Sequence, residues 1–261
     1  MAEGYYEIMD DKENLKNIRV RVLEMANEAK EGHVPSSFSV LELLYAIYSK
    51  KGDEDSFFLS KGHASAGLYA VLAHFGLIDK EALASYCKYD SKLGGHPGRD
   101  SGVVMCSSGS LGHGFPISAG YALSKKIKKE KGRVFCLIGD GETNEGSIWE
   151  TAMYAEQLGL DNLVCIVDKN NSQTRAMTSI NIEKKFESFG WAVKTVQGHD
   201  LVEIDDALFG AASRQTVPYC VVALTVKGKG VKEMEDEMFT WHHRSPTDDE
   251  LERFKNEILT S

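Results

Sequence analysis

With 261 residues, 42% of them hydrophobic and 26% charged, the chain can bury a substantial core, which excludes a disordered or fibrous state. A formal net charge of -9 argues against a nucleic-acid partner, because affinity for phosphate backbones comes from clustered Lys and Arg; only Lys125 to Lys131 cluster, and they read as a solvated helix end. No apolar run approaches the roughly 20 residues of a membrane span, and the first residues are too acidic for a secretory signal, so a cytoplasmic protein without a membrane partner is expected.

In chain order, Leu15, Ile18, Val22, Met25 and Ala29 recur at helical intervals and predict a helix over 14–30 with one apolar face. It breaks at Glu31-Gly32-His33-Val34-Pro35. Helical periodicity returns at 40–47 and 64–74, the latter following the loop Leu59-Ser60-Lys61-Gly62-His63. From about residue 115 helices and apolar runs alternate: helix 115–129, strand 134–138, helix 147–158, strand 163–167, helix 183–189, strand 192–196, helix 201–213 and strand 219–226. This is the pattern of βαβ units. It predicts an α/β fold, a doubly wound and mostly parallel sheet with helices on both faces.

Five cysteines, Cys87, Cys106, Cys136, Cys165 and Cys220, show no metal-like spacing and read as reduced thiols, three of them in apolar runs. There is no internal repeat or Pro/Gly/Ser-rich linker. A single domain over 1–261 is therefore expected, with 247–261 as a charged, helix-permissive C-terminal extension.

The turns Gly139-Asp140-Gly141 and Asp168-Lys169-Asn170-Asn171 each follow a strand, where the ligand crevice of a parallel sheet lies. Glycines after a buried strand allow close backbone approach, and amides at the start of a helix point at a ligand. The Asp140 carboxylate suits a hard cation, and Asn170, thirty residues on across one strand-helix-strand unit, adds a neutral oxygen. Magnesium takes six oxygens, usually one or two from protein and the rest from phosphate and water. Asp140, Asn170 and a backbone carbonyl near Ser172, with two diphosphate oxygens, would meet that need. Taken singly, each turn also reads as a strand-ending turn or a helix cap.

Gly139-Asp140-Gly141 followed by Asn170 resembles the thiamine diphosphate fingerprint, and its surroundings resemble the amino-terminal part of transketolases. The resemblance covers nearly the whole chain. It runs from Gly32-His33 through Ser60-Lys61-Gly62-His63-Ala64, Gly95-His96-Pro97 and Gly109-Ser110-Leu111-Gly112 to Thr225-Val226-Lys227-Gly228-Lys229-Gly230 and Trp241-His242. It implies the thiamine diphosphate-binding fold, with Mg2+ as the metal and Ca2+ or Mn2+ as substitutes. It implies transfer of a two-carbon glycolaldehyde unit from a ketose, in which the coenzyme carries the bond-breaking chemistry and the protein supplies orientation and electrostatics.

Imidazole suits proton movement near neutral pH. By the resemblance, His63 and His242 contact the diphosphate near the reacting centre, while His33 and His96 hydrogen-bond the hydroxyls and carbonyl oxygen of a ketose donor. Gly141 lies in the fingerprint turn, and Gly109, Ser110 and Leu111 line the coenzyme rings; a tight helix-entry turn explains those glycines equally well. Glu145 and Glu150 take the positions of a carboxylate network joining paired active sites, with an exposed helix glutamate as the plainer reading. His113, His199 and His243 stand outside these four: the family usually has glutamine where His113 stands and glycine where His243 stands. Arg175-Ala176 replaces the usual Asp-Gly pair, and Arg99 sits in a short 94–103 stretch; both leave a branched or sulfonated donor open beside pentose and hexose phosphates.

In the family, the glutamate that bonds the pyrimidine and the arginines that grip the sugar phosphate lie in later domains, which this sequence does not contain. The resemblance therefore points to the amino-terminal subunit of a split transketolase. Its partner chain would supply the pyrimidine-binding and carboxyl-terminal domains, in a heterotetramer of two copies of each. An α subunit of a 2-oxoacid dehydrogenase, a deoxyxylulose-phosphate synthase-like protein and a non-catalytic scaffold are the rival readings.

Overall fold

The structure, a computed structural model, describes residues 2–175, 177 and 181–261; the side chains of residues 2–10 and of Arg175 are not among those described. The chain begins with α1 (Ala2–Ala29), α2 (Val34–Phe38), α3 (Leu41–Lys50), β1 (Ser56–Leu59) and α4 (Ser65–His74). It continues with α5 (Gly114–Lys128), β2 (Val134–Gly139), α6 (Gly146–Gln157), β3 (Leu163–Lys169) and α7 (Ile182–Ser188). The last elements are β4 (Ala192–Gln197), α8 (Leu201–Asp205), β5 (Tyr219–Leu224), α9 (Lys232–Asp236) and α10 (Asp248–Thr260).

These elements fall into two compact units. The first, Ser49–Gly62 with His96–Thr225, holds the sheet. Its five strands are all parallel, in the order β1-β2-β3-β5-β4. Side chains alternate across a strand, so Val134, Cys136 and Ile138 share one face with Leu163, Cys165, Val167, Cys220 and Val222. That face packs against Phe115 and Ala122 of α5, Ile148, Ala152 and Ala155 of α6, and Phe186 of α7. Phe135 has the opposite parity and meets Phe209 on the other face, with ring centroids 5.7 Å apart. The doubly wound expectation holds: helical segments cover both faces.

Three local differences have physical reasons. β1, only four residues long, was not expected as a strand, because too few positions exist to show a period; its pairing of Ser56 with Val134 through Leu59 with Leu137 defines it. The expected helix over 201–213 ends at Asp205 and widens into a π-helical turn, Asp206–Ala211. That turn carries Phe209 onto Phe135 and lets the Leu208 carbonyl accept from Arg133 Nη1 at 2.8 Å. Lys125, read as part of a solvated helix end, is instead buried and donates to the Glu54 carbonyl at 2.8 Å.

The second unit, Met1–Tyr48 with His63–Gly95 and Val226–Ser261, is helical. α1 packs along α4 and α10. A buried ion pair joins Arg19 of α1 to Glu42 of α3, and Arg19 Nε also donates to the Lys229 carbonyl at 3.0 Å. The short helix α2 forms where only a break was expected: Pro35 in its first turn has a preset φ and no N–H to leave unsatisfied. The extension is ordered as α10, started by a capping box between Thr247 and Glu250 and held by Phe254 against Trp241 at 5.3 Å. Among the described residues no helix is long and apolar enough to cross a membrane.

Candidate functional site

Because the sheet is parallel, β1, β2, β3 and β5 end on the same edge and lie side by side in that order. The next residues along each strand are Ser60 and Lys61, Asp140, Asn170, and Thr225. Register places Gly139 beside Asp168 and Asp168 beside Ala223. Four separate stretches of sequence thus deliver polar groups to one place within the sheet unit.

Asp140 and Asn170, expected to share a cation, are brought together through Ser172. Ser172 Oγ donates to Asp140 Oδ1 at 3.2 Å, and the Ser172 backbone N–H donates to Asn170 Oδ1 at 2.9 Å. Asn170 Nδ2 donates to Asp168 Oδ2 at 2.8 Å, which turns the amide so that its oxygen faces Ser172. Asp140 is 1% exposed, and its Oδ2 has no hydrogen-bond partner among the described residues. Burial, reinforced by the charge of Asp168 and opposed by Lys61, raises its pKa from the ordinary 3.8 to about 6. A buried carboxylate oxygen without a donor is costly, and a divalent cation would relieve that cost. The donor set of carboxylate, amide oxygen and hydroxyl is the hard-oxygen type that Mg2+ prefers, so these residues fit the expected metal.

Lys61, Asp168, Thr225 and Glu142 were not foreseen as site residues. Lys61 and Asp168 form a fully buried ion pair, and Thr225 Oγ1 also donates to Asp168. With Asn170, Asp168 therefore accepts three hydrogen bonds, the condition under which a buried pair offsets its desolvation. The Lys61 stem runs beside Gly139, where a Cβ would sit 3.6 Å from its Cγ. Asp140 and Asp168 are both buried near Lys61, whose charge counters the mutual repulsion of the two carboxyl groups. Lys61 and Thr225 stand in motifs that carry the family resemblance, and Asp168 in the turn before Asn170, but nothing local in the sequence marks them or Glu142 as partners of one another.

Glu142 accepts from Ser60 Oγ at 2.6 Å and Gly112 N at 3.0 Å on one oxygen, and from Gly139 N at 2.9 Å on the other. It ties the fingerprint turn to the 109–112 loop. Gly112 has φ +76, and a Cβ there would lie 2.7 Å from Glu145 Cβ. Gly109, Ser110 and Leu111 are exposed, Leu111 at 42%. A Cβ at Gly141 would meet nothing within 4 Å, so space is open beside Asp140. Glu145, Glu150 and His96 are exposed in this unit, as are Arg99 and His113, whose Nδ1 lies 3.3 Å from the Leu111 carbonyl oxygen. Ala176 lies outside the described residues.

The helical unit collects the other expected histidines. His33 caps the start of α2, His63 sits in the turn before α4, and His242 follows α9. Ring centroids are 5.5 Å apart for His33 and His63, 5.5 Å for His33 and His242, and 6.4 Å for His63 and His242. Lys227 Nζ, on a side chain 2% exposed, lies 2.7 Å from His242 Nδ1. His243, at a position where the family usually has glycine, joins the group at 4.2 Å from His33.

A family model described as "Transketolase, thiamine diphosphate binding domain" matches residues 10–258. The chain is 36% identical to one of the subunits of the apulose-4-phosphate transketolase of Actinobacillus succinogenes, over 93% of this chain and 94% of that protein. It is 33% identical to the corresponding apulose-4-phosphate transketolase subunit of Phocaeicola vulgatus, covering 92% and 90% respectively. Among solved structures, the transketolase from Campylobacter jejuni superposes with a TM-score of 0.86 at 27% identity, covering 95% of this chain and 42% of that one. The chain spans about two-fifths of that longer protein, and nearly the full length of the two subunits.

Proposed function

We propose, since the chain belongs to the transketolase family of thiamine diphosphate-binding domains, that it is the amino-terminal subunit of a two-chain transketolase. It moves a glycolaldehyde unit from a ketose phosphate to an aldose, with thiamine diphosphate and a divalent cation. The observation that carries this reading is the buried Asp140 carboxylate, one oxygen without a partner, flanked by Asn170 and Ser172 at the ends of adjacent strands. A single family model across residues 10–258 supports treating both units as one coenzyme-binding domain.

When bound, the coenzyme supplies the carbon centre that takes up the two-carbon unit. The chain's own residues bind and orient. Asp140, Asn170 and a Ser172 oxygen would hold the cation, the open backbone at Gly141 would give a diphosphate room, and His63 and His242 would contact the diphosphate as the resemblance implies. Gly109, Ser110 and Leu111 give clearance to flat rings. His33 and His96 donate hydrogen bonds to the donor's hydroxyls and to its carbonyl oxygen as charge develops there. Glu145 and Glu150 link the paired sites of a cytoplasmic heterotetramer.

The names of the two subunit relatives support apulose 4-phosphate as the donor, ahead of ordinary pentose and hexose phosphates. They support a separate partner chain as well. The transketolase relatives also weigh against a 2-oxoacid dehydrogenase. The test is to purify the chain alone and with the product of the neighbouring gene, then assay glycolaldehyde transfer from apulose 4-phosphate and from pentulose and hexulose phosphates. Turnover only with the partner, dependent on coenzyme and cation, is expected. Full activity from the chain alone, or 2-oxoacid decarboxylation without ketol transfer, overturns the reading.

A further inference from the structure

The oxygen-rich cluster around Asp140 has a counterpart of different chemistry in the helical unit. One candidate ligand atom from each of His33, His242 and His243 lies within 4.8 Å of the other two. The rings are packed edge to face, His33 with His243 at 4.2 Å and 68°, and His242 with His243 at 4.7 Å and 69°. His33 is 9% exposed, His242 half-buried and His243 exposed, so the trio opens to solvent on one side. We propose that His33, His242 and His243 form a three-imidazole site for a borderline-soft divalent cation of the Zn2+ class, separate in its ligands from the Asp140 cluster.

Four features support the assignment. Imidazole nitrogens without carboxylates select Zn2+, Ni2+ or Cu2+ over Mg2+ and Ca2+. In a tetrahedral zinc site with bonds of about 2.0–2.1 Å, neighbouring nitrogens stand about 3.3 Å apart. From the 4.8 Å limit, the ligand atoms therefore close in by roughly 1.5 Å at most, within the reach of side-chain rotation.

The backbones are also anchored. The His33 carbonyl accepts from the N–H groups of Ser36 and Ser37, at 3.0 Å each. Trp241, beside the other two ligands, is 1% exposed, packed edge to face against Phe254 and covered by the Arg244 guanidinium at 4.1 Å. Finally, three ligands with an open side leave a coordination position for water or a small ligand. Lys227, 2.7 Å from His242 Nδ1, works against tight binding. A cation must displace that contact or tolerate its charge, which makes the site weaker than a closed structural one. Occupancy would also withdraw His33 from the sugar donor and His242 from the diphosphate; that inhibitory consequence rests on the proposed function, whereas cation binding does not.

The test uses the full chain, metal-stripped and with any tag removed. Zn2+ is titrated against a chromophoric chelator, and Co2+ by its visible absorption. One equivalent per chain is expected, with the stronger visible bands of low-coordinate Co2+. His243→Gly and His243→Gln, at an exposed position, should weaken binding at least about tenfold with unchanged circular dichroism. Asp140→Ala should leave it intact. Binding unchanged in both His243 variants, or lost in Asp140→Ala, overturns the assignment whatever the transfer assay reports.

Discussion

Ser172 Oγ donates to Asp140 Oδ1 at 3.2 Å, joining the turns beyond β2 and β3, while Asp140 Oδ2 stays buried with no partner among the described residues. One carboxylate oxygen is held in place by the protein, and the other is the one the proposed function assigns to the cation.

Asp140→Ala should therefore weaken cation-dependent coenzyme binding sharply without harming the free chain. Losing a charge-assisted ligand costs about 3 kcal/mol, roughly 100-fold in affinity. Calorimetric titration of thiamine diphosphate with Mg2+, partner present, checks the first part. Thermal melting of the coenzyme-free variant checks the second, since removing an unpaired buried carboxylate should leave its midpoint unchanged or higher.

The raised Asp140 pKa has a definite sign. Its value of about 6 exceeds the ordinary 3.8, so the folded state holds this proton more tightly than the unfolded chain. The resulting stability is fully present below about pH 3.8 and is lost as pH rises through about 6, a loss of about 3 kcal/mol. A cation binds only the ionised form. The Mg2+-dependent rise in melting temperature, with coenzyme present, should accordingly be full near neutrality and fade below about pH 6, as protons compete. A rise of equal size at pH 5 and pH 8 would contradict the assignment.

Glu142→Gln should weaken both the fold and the coenzyme site. The carboxylate accepts from Ser60, Gly112 and Gly139, and an amide sets an N–H against at least one of those donors. The expected loss is about 1.5–3 kcal/mol in denaturant unfolding. Coenzyme affinity should fall with it, because the 109–112 loop loses its tether.

Lys61→Met takes the ammonium away from Asp168, leaving a buried carboxylate to which Thr225 and Asn170 still donate. Breaking a buried pair by removing one partner costs about 3–5 kcal/mol, and the Asp168 carboxylate that orients the Asn170 amide loses one of its anchors. Chemical denaturation and Mg2+-supported coenzyme binding should both register the change. Lys61→Arg should rescue neither fully, since the site is shaped around a slender stem passing Gly139.

Much of the sheet was readable from the chain because β2, β3, β4 and β5 each carry their own apolar run, and each intervening helix its own period. The placement of Asp140 and Asn170 at one edge of the sheet was readable for a similar reason: a turn directly after a strand in a parallel sheet lies at the carboxyl edge. β1 was not, since four residues show no period and only pairing with β2 makes them a strand.

The sequence by itself determined the alternation of elements, the two fingerprint turns and the family resemblance, all properties of neighbouring or regularly spaced residues. Tertiary structure alone decided that β5 inserts between β3 and β4, and so that Thr225 reaches Asp168. It decided that Lys61 pairs with a residue 107 positions away, that Glu142 gathers donors from three segments, and that His243 stands against His33. Such pairings depend on strand order, register and the packing of distant segments, and no local period encodes them.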